Sequence, residues 1–184
     1  DRIELRRRNL IPRAAFPYKA ATVDYDSGDP PGQLEQALKH SEWKSFETRR
    51  KQSERRGKLL LNLFPPFLFS RTRVLSIGRG FRSCRVSVRP SLLTRNLQGT
   101  MFGGTIFSAA DPFHALLYWQ VFAHRGLRVQ AWLKSARIDY RRPAASALPF
   151  DFVLSNADIA EAEERLTREG RFSKVHRTEA VDEQ

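Results

Sequence analysis

The stretch from Asn96 to Asp111 most constrains how this chain can fold. Its sequence is NLQGTMFGGTIFSAAD, in which a glycine-rich turn passes into an apolar run. A glycine turn at the start of a helix leaves backbone N–H groups without acceptors, and these groups stabilise negative charge. Asp111 follows Gly104 by seven residues, which is close to two helical turns. The sequence therefore predicts oxyanion donors and a candidate general base on one helix.

The sequence around this stretch predicts a mixed α and β fold. A central helix is expected from about Gly103 to Ala123, because the run is apolar on nearly every side. A later helix is expected to be capped by Asn156 or Asp158 and to end at Gly170. Clustered or alternating apolar residues predict five strands: Val74–Ile77, Cys84–Arg89, Arg128–Tyr140, Leu148–Leu154 and a last strand that begins near Phe172.

The first third of the chain has a different character. Prolines and a polar cluster predict irregular structure over residues 1–32, and residues 33–62 have a helical composition that Pro65 and Pro66 bring to an end. We therefore predict a basic extension over residues 1–58 and a domain over residues 59–184. The chain begins with Asp1 instead of Met, so a processed or trimmed product is expected.

Composition limits the class of protein. The lone Cys84 excludes an intramolecular disulfide and fits a reducing compartment, so a cytoplasmic location is expected. No apolar run reaches the length of a membrane span. The net charge of +12 is spread, with 14 basic and 9 acidic side chains in residues 1–60 and 18 and 11 in residues 61–184. This charge indicates a solvated face or a surface for phosphate groups, and nucleic acid is disfavoured because no basic helix with interleaved exposed aromatics occurs.

Five pieces of sequence point to a known family. They are, in order, Asn62–Pro66, Asn96–Gly104, Ala110–Pro112, Trp132–Pro143 and Lys174–Thr178. Together they resemble the hot-dog fold acyl-CoA thioesterases of the phenylacetate-pathway (PaaI) type, and most closely a hot-dog subgroup known only as a domain of unknown function. The resemblance implies an α+β hot-dog fold, in which an antiparallel sheet wraps around a long central helix. Hot-dog domains continue for one more strand, so it also implies that this chain lacks the last strand.

The resemblance implies hydrolysis of an acyl-CoA or a similar thioester. Asp111 would be the general base, the amides of Gly103 and Gly104 would hold the oxyanion, and Asn96 would orient water or substrate. The expected substrate contacts are Thr100, Phe102, Lys134 and His114. Relatives place the cleft between two subunits, so a homodimer or a dimer of dimers is expected. No metal or organic cofactor is expected.

Each of these residues also has a purely structural interpretation. Asp111 followed by Pro112 is a good helix start, Asn96 suits a turn, and the two glycines permit close packing of helix on sheet. Phe102 stands where the family often has His, which removes a polar group from the site. Two other functions therefore stay open: a non-catalytic acyl-CoA-binding or structural protein, and an acyl-thioester hydratase or dehydratase that uses His114.

Lys134 is the most unusual residue of its predicted strand. Alternation puts Trp132, Lys134, Ala136, Ile138 and Tyr140 on one face, which should pack on the central helix. A buried lysine requires a partner, so we predict that Lys134 forms a salt bridge with Asp111 or contacts the acyl-CoA. The alternative is a lysine whose ammonium reaches solvent at the sheet edge.

Overall fold

The computed structural model describes residues 2–181 and divides into two compact units, Asp1–Arg49 and Arg50–Gln184. Both α-helices and antiparallel strands are present. The boundary predicted between residues 58 and 59 falls within a continuous helix, α3, which runs from Phe46 to Leu63. No helix in the described residues is both long enough and apolar enough to cross a membrane.

The first unit contains more regular structure than the sequence predicts. Helix α1 spans Arg2–Asn9, where irregular chain was expected; it is exposed except at Ile3, and ion pairs from Glu4 to Arg7 and Arg8 support it. Strands β1 (Tyr18–Lys19) and β2 (Asp24–Tyr25) pair in a short antiparallel hairpin. Helix α2 spans Pro30–His40.

Helix α2 begins with two prolines that were predicted to lie in irregular structure. Pro30 and Pro31 occupy the first two helical positions, where a missing N–H costs nothing. Asp29 precedes them, and its carboxylate accepts a hydrogen bond from the N–H of Gly32 at 3.0 Å. The sequence prediction of irregular structure up to residue 32 is therefore wrong at this point.

The predicted helix over residues 33–62 is interrupted. A 3-10 turn at Trp43–Ser45, preceded by Glu42 with a left-handed backbone (φ 49°), separates α2 from α3. Helix α3 ends at Leu63, as the two prolines predict, but Pro65 also begins the short helix α4, Pro65–Phe69.

A three-stranded antiparallel sheet forms the centre of the second unit. Strands β3 (Thr72–Ile77), β4 (Ser83–Val88) and β5 (Leu148–Val153) lie in the order β3-β4-β5. These three strands confirm three of the predicted ones. Most buried residues of the sheet alternate along its strands, and they include Val74, Val86, Val88, Phe150 and Phe152.

The central helix is broken in two. Helix α5 spans Gly103–Ala110 and helix α6 spans Phe113–Ala123, so the prediction of one helix from 103 to 123 is wrong at Asp111 and Pro112. Proline has no N–H to continue the helical ladder, which explains the position of the break. Helix α6 packs on the sheet, with the rings of Phe113 and Phe152 5.1 Å apart.

Two predicted strands are not formed. Residues 127–140 and 171–181 have no regular secondary structure. The side chains of Trp132, Lys134 and Tyr140 are exposed, so this face is not buried against the central helix as predicted, although Tyr140 contacts the first helical residue, Gly103. A strand needs a hydrogen-bonded neighbour as well as an alternating sequence, and within residues 2–181 these segments have none.

Helix α7, Asn156–Glu169, is the last helix in the described residues. Its N-cap is Ser155 and not the predicted Asn156 or Asp158; Ser155 and Asp158 form a reciprocal capping box. Gly170 ends the helix with a left-handed backbone (φ 67°), as predicted.

Candidate active site

The turn before α5 is organised by the side chain of Asn96. Its Oδ1 accepts hydrogen bonds from the N–H groups of Gln98 at 3.0 Å and Thr100 at 3.1 Å. Its Nδ2 donates to Thr100 Oγ1 at 2.9 Å. Gly99 completes the turn with a φ of 80°, a conformation that glycine adopts without strain. Asn96 and Thr100, predicted to contact water or substrate, therefore bond each other and hold the turn.

Two backbone bonds fix where the helix begins. The N–H of Met101 donates to the carbonyl of Ala144 at 2.8 Å, and that of Phe102 donates to Thr94 at 2.7 Å. Phe102 then has an extended backbone and acts as the N-cap, so Gly103 and Gly104 are the first two helical residues. Neither glycine N–H has an acceptor among the described residues. The two N–H groups therefore have the free hydrogen-bonding capacity of a helix N-terminus.

Two aromatic rings lie beside these amides. A Cβ on Gly104 would come within 2.4 Å of Phe102 Cε1, so the Phe102 ring lies directly against this glycine. A Cβ on Gly103 would lie 3.2 Å from Tyr140 Cζ, and the Tyr140 hydroxyl donates to the Gly103 carbonyl at 2.8 Å. Tyr140 was not among the predicted site residues. Both rings are more than half exposed, so they partly cover the amides without sealing them.

Asp111 lies where α5 ends and α6 begins. Its backbone is helical and its N–H donates to the carbonyl of Phe107 at 2.9 Å, so it is the C-cap of α5. The side chain is half-buried and hydrogen-bonds no residue in the described part of the chain. The predicted capping of α6 by the carboxylate is therefore not observed, since Pro112 holds the N-cap position without a side-chain bond. Asp111 is left available for chemistry.

The amides and the carboxylate are far apart within one chain. Gly103 and Gly104 precede Asp111 by eight and seven residues, which corresponds to about 10–12 Å along a helix. Lys134 does not bridge them: its side chain is exposed and forms no ion pair within residues 2–181. The predicted contact between Lys134 and Asp111 is thus absent within this chain.

His114 belongs to a cluster that the sequence did not predict. Its ring stacks on that of His176 with centroids 4.2 Å apart, and it meets the edge of Phe152 at 5.2 Å. Tyr118 lies one turn further along α6, and its hydroxyl is 3.1 Å from His176 Nε2. The signal that could have revealed this cluster is the four-residue spacing of His114 and Tyr118 together with the Lys174–Thr178 piece, which contains His176.

Burial keeps this cluster uncharged. Burial, reinforced by His176, lowers the pKa of His114 to about 4, and burial also lowers the pKa of His176. Burial raises the pKa of Tyr118 to about 12. At neutral pH both imidazoles are therefore neutral, which permits them to stack.

A salt-bridged lysine lies on the outer side of the cluster. Lys174 Nζ is 2.6 Å from both Asp158 Oδ1 and Glu161 Oε2 on α7. Hydrogen bonds from Lys174 and Ser155 hold the pKa of Asp158 well below its usual range, so this carboxylate stays ionised. The histidine cluster is thus fixed between α6, β5 and the segment after α7. No group of three or more metal-ligating side chains is gathered anywhere in the described residues.

Residues 54–177 match the family described as Domain of unknown function (DUF4442). The chain belongs to the DUF4442 family. The DUF4442 region includes the Asn96 turn, the free amides of Gly103 and Gly104, Asp111 and the histidine cluster. No curated protein matches the chain.

Two solved structures share the fold of this DUF4442 protein. One is a Pseudomonas aeruginosa protein of unknown function described as a "probable thioesterase", with 20% identity and a TM-score of 0.60 over 68% of this chain and 82% of the other. The other is a Chlorobaculum tepidum TLS protein with unknown function, with 15% identity and a TM-score of 0.54 over 66% of this chain and 74% of the other. At these identities the likeness establishes a shared fold.

Proposed function

We propose that this DUF4442 chain hydrolyses an acyl thioester, with acyl-CoA as the substrate class, on a hot-dog domain of the PaaI type. The observation that supports this proposal is the pair of free amides at Gly103 and Gly104, followed on the same helix by the unpaired carboxylate of Asp111. Thioester hydrolysis needs both kinds of group: donors for the developing oxyanion and a base for water. The fold shared with a P. aeruginosa protein described as a probable thioesterase is consistent with it.

In the proposed reaction the thioester oxygen accepts hydrogen bonds from the two glycine amides. Asp111 removes a proton from water, the water oxygen attacks the carbonyl carbon, and a tetrahedral oxyanion forms. The carbon–sulfur bond then breaks, and the proton passes to the departing thiolate to give a free carboxylic acid and a thiol. The helix N-terminus stabilises the intermediate because its positive end faces the oxyanion.

We propose that two copies of the chain share each site. The amides and Asp111 of one copy are about 10–12 Å apart along the helix. In one site the donors contact the carbonyl oxygen, water approaches the carbonyl carbon and the base contacts that water, each at about 3 Å; because water attacks at an angle to the C=O bond, this bent path is shorter than about 10–12 Å. In a dimer, the Asp111 of a second copy can lie close to the amides of the first, so the separation within one copy no longer matters. A homodimer or a dimer of dimers satisfies this arrangement.

The test is release of free thiol from a panel of acyl-CoAs. Asp111→Asn should lower turnover by about 100-fold or more while substrate binding stays nearly unchanged, because the amide cannot act as a base. Asp151→Asn is the matched control, since Asp151 is an exposed carboxylate that pairs with Arg85 at 3.7 Å on the sheet. Wild-type turnover in Asp111→Asn would end the proposed mechanism.

One observation favours the alternative of an acyl-CoA-binding protein without hydrolysis. The ring of Phe102 lies against Gly104, and Tyr140 lies beside Gly103, so both rings narrow the approach to the amides. A binding protein would be stabilised against heat by acyl-CoA yet release no thiol from any member of the panel. Restoring the family's histidine with Phe102→His should then leave thiol release at zero, whereas a thioesterase limited by Phe102 should become faster.

A further inference from the structure

One face of α3 is fixed toward the core of the second unit. Glu54 Oε1 accepts a hydrogen bond from the N–H of Gly80 at 2.8 Å, and a Cβ on Gly57 would lie 3.1 Å from Phe81 Cε1. Asn62 bonds both backbone groups of Val74, at 3.0 Å and 2.8 Å. These three residues recur at helical spacing, so the opposite face of α3 points away from the sheet.

The outward face of α3 changes from basic to apolar toward its end. Arg55 and Arg56 are followed one turn later by Leu59 and Leu60, and the apolar surface continues onto α4. We name these exposed side chains the α3–α4 patch: Leu59, Leu60, Leu63, Phe64, Leu68 and Phe69, each between 49% and 70% exposed. Neighbouring large apolar side chains with this exposure indicate a surface that contacts an apolar partner.

Positive charge surrounds this patch. The exposed arginines at 55 and 56 precede it, those at 71 and 73 follow it, and none of the four forms an ion pair in the described chain. No acidic residue occurs between Glu54 and Asp111, whereas ten basic residues do. A partner that matches this surface must therefore be anionic as well as apolar.

We propose that the α3–α4 patch docks this protein on the surface of a bilayer that contains anionic lipids. The leucine and phenylalanine side chains enter the boundary between headgroups and acyl chains, and the four arginines contact lipid phosphates. A helix with an apolar end beside basic residues binds membranes in this orientation, parallel to the surface, without crossing it. The proposal does not depend on thioester hydrolysis.

Vesicle flotation of the full chain tests the proposal. The protein should float with vesicles of phosphatidylcholine and phosphatidylglycerol and stay behind with phosphatidylcholine alone. Leu59→Ser with Leu60→Ser should lower the bound fraction at least tenfold. Leu92→Ser with Leu93→Ser is the matched apolar control, since these leucines are 92% and 72% exposed outside the patch, and it should change binding less than twofold.

A matched pair of charge variants locates the electrostatic contact. Arg55→Glu with Arg56→Glu should also lower binding at least tenfold. Arg141→Glu with Arg142→Glu makes the same change in net charge at two exposed arginines elsewhere and should leave binding within twofold. Equal losses in the two pairs would overturn the proposal, because the attraction would then come from net charge and not from this surface. Absence of flotation with anionic vesicles would overturn it as well.

A fluorescent label gives a second readout that does not rely on lost binding. The one native thiol, Cys84, is 3% exposed, and burial raises its pKa to about 12, so it does not compete for the label. An environment-sensitive dye on Leu60→Cys should brighten and shift to the blue with anionic vesicles, and the same dye on Leu92→Cys should not. If Leu60→Cys is silent, or if light scattering shows that the leucine variants only dissociate a self-assembled particle, the patch is not a lipid contact.

Discussion

Asp111 and His114 lie three residues apart in different surroundings. The carboxylate of Asp111 is half-buried and unbonded within the described residues, whereas the ring of His114 is stacked on His176 and meets Phe152. A histidine with a pKa near 4 is neutral at pH 7 and is a poor proton donor there. The residue-level geometry thus favours Asp111 as a base and disfavours a hydratase or dehydratase that uses His114 as its acid.

The histidine cluster predicts how stability depends on pH. The pKa of His114 is lowered from 6.5 to about 4, so the unfolded chain binds a proton that the folded chain does not bind between these values. The contribution of His114 to the free energy of unfolding is therefore fully present above pH 6.5 and is lost as the pH falls toward 4. The loss should be about 1–2 kcal/mol after allowance for partial exposure. The other groups facing the ring are His176, Tyr118 and Asp158, of which His176 should titrate in the same direction.

The measurement is the melting temperature of wild type and His114→Phe between pH 7 and pH 4.5. Phenylalanine keeps the ring contacts and removes the titration, so its decline should be less steep than that of wild type. His40→Phe, at an exposed histidine of α2, should follow the wild-type curve. Parallel curves for wild type and His114→Phe would contradict the assignment.

At the scale of helices and strands, the sequence predicted correctly those features that depend on local sequence pattern. Residues 74–77 and 84–88 form strands as predicted, because each has a neighbouring strand and a buried face. The segment 128–140 was also expected to be a strand and stays irregular, since a pattern of faces describes one strand and says nothing of its partner. The turn before α5 depends on local sequence and is present in the structure, whereas the stacking of His114 on His176 joins residues 62 positions apart, which the spacing of His114 and Tyr118 alone does not predict.

The side chain of Asn62 on α3 satisfies two backbone hydrogen-bonding groups of strand β3. Its side chain donates to the carbonyl of Val74 and accepts from the N–H of Val74, so α3 bonds the open edge of β3. Asn62→Ala should destabilise the protein by about 1–3 kcal/mol, because both backbone groups lose a partner in a half-buried place. Chemical denaturation measures this loss, with Gln52→Ala as the control at an exposed position of α3. A loss no larger than that of Gln52→Ala would show that water replaces the side chain.

At the scale of the whole molecule, the proposed shared site predicts how two variants should behave when they are combined. The proposed site takes its amides from one copy and its carboxylate from another, so two inactive variants should repair each other. Gly103→Pro removes one amide with little cost to α5, since proline is favoured at the first helical position and Phe102 already has the extended backbone (φ −67°, ψ 130°) that precedes proline. Tyr140, 55% exposed, can move to admit the ring.

Each variant alone should have about 1% or less of the wild-type turnover if both groups are essential. When Gly103→Pro and Asp111→Asn are unfolded together in equal amounts and refolded, about half of the dimers contain one copy of each. Such a dimer has one site with both defects and one site with none, so the mixture should recover about a quarter of the wild-type activity. Mixing the folded variants without exchange of subunits is the control and should recover nothing. Light scattering on the same samples should give the mass of a dimer or a larger assembly. A refolded mixture as inactive as its components, from a particle of confirmed dimeric mass, would contradict the shared site.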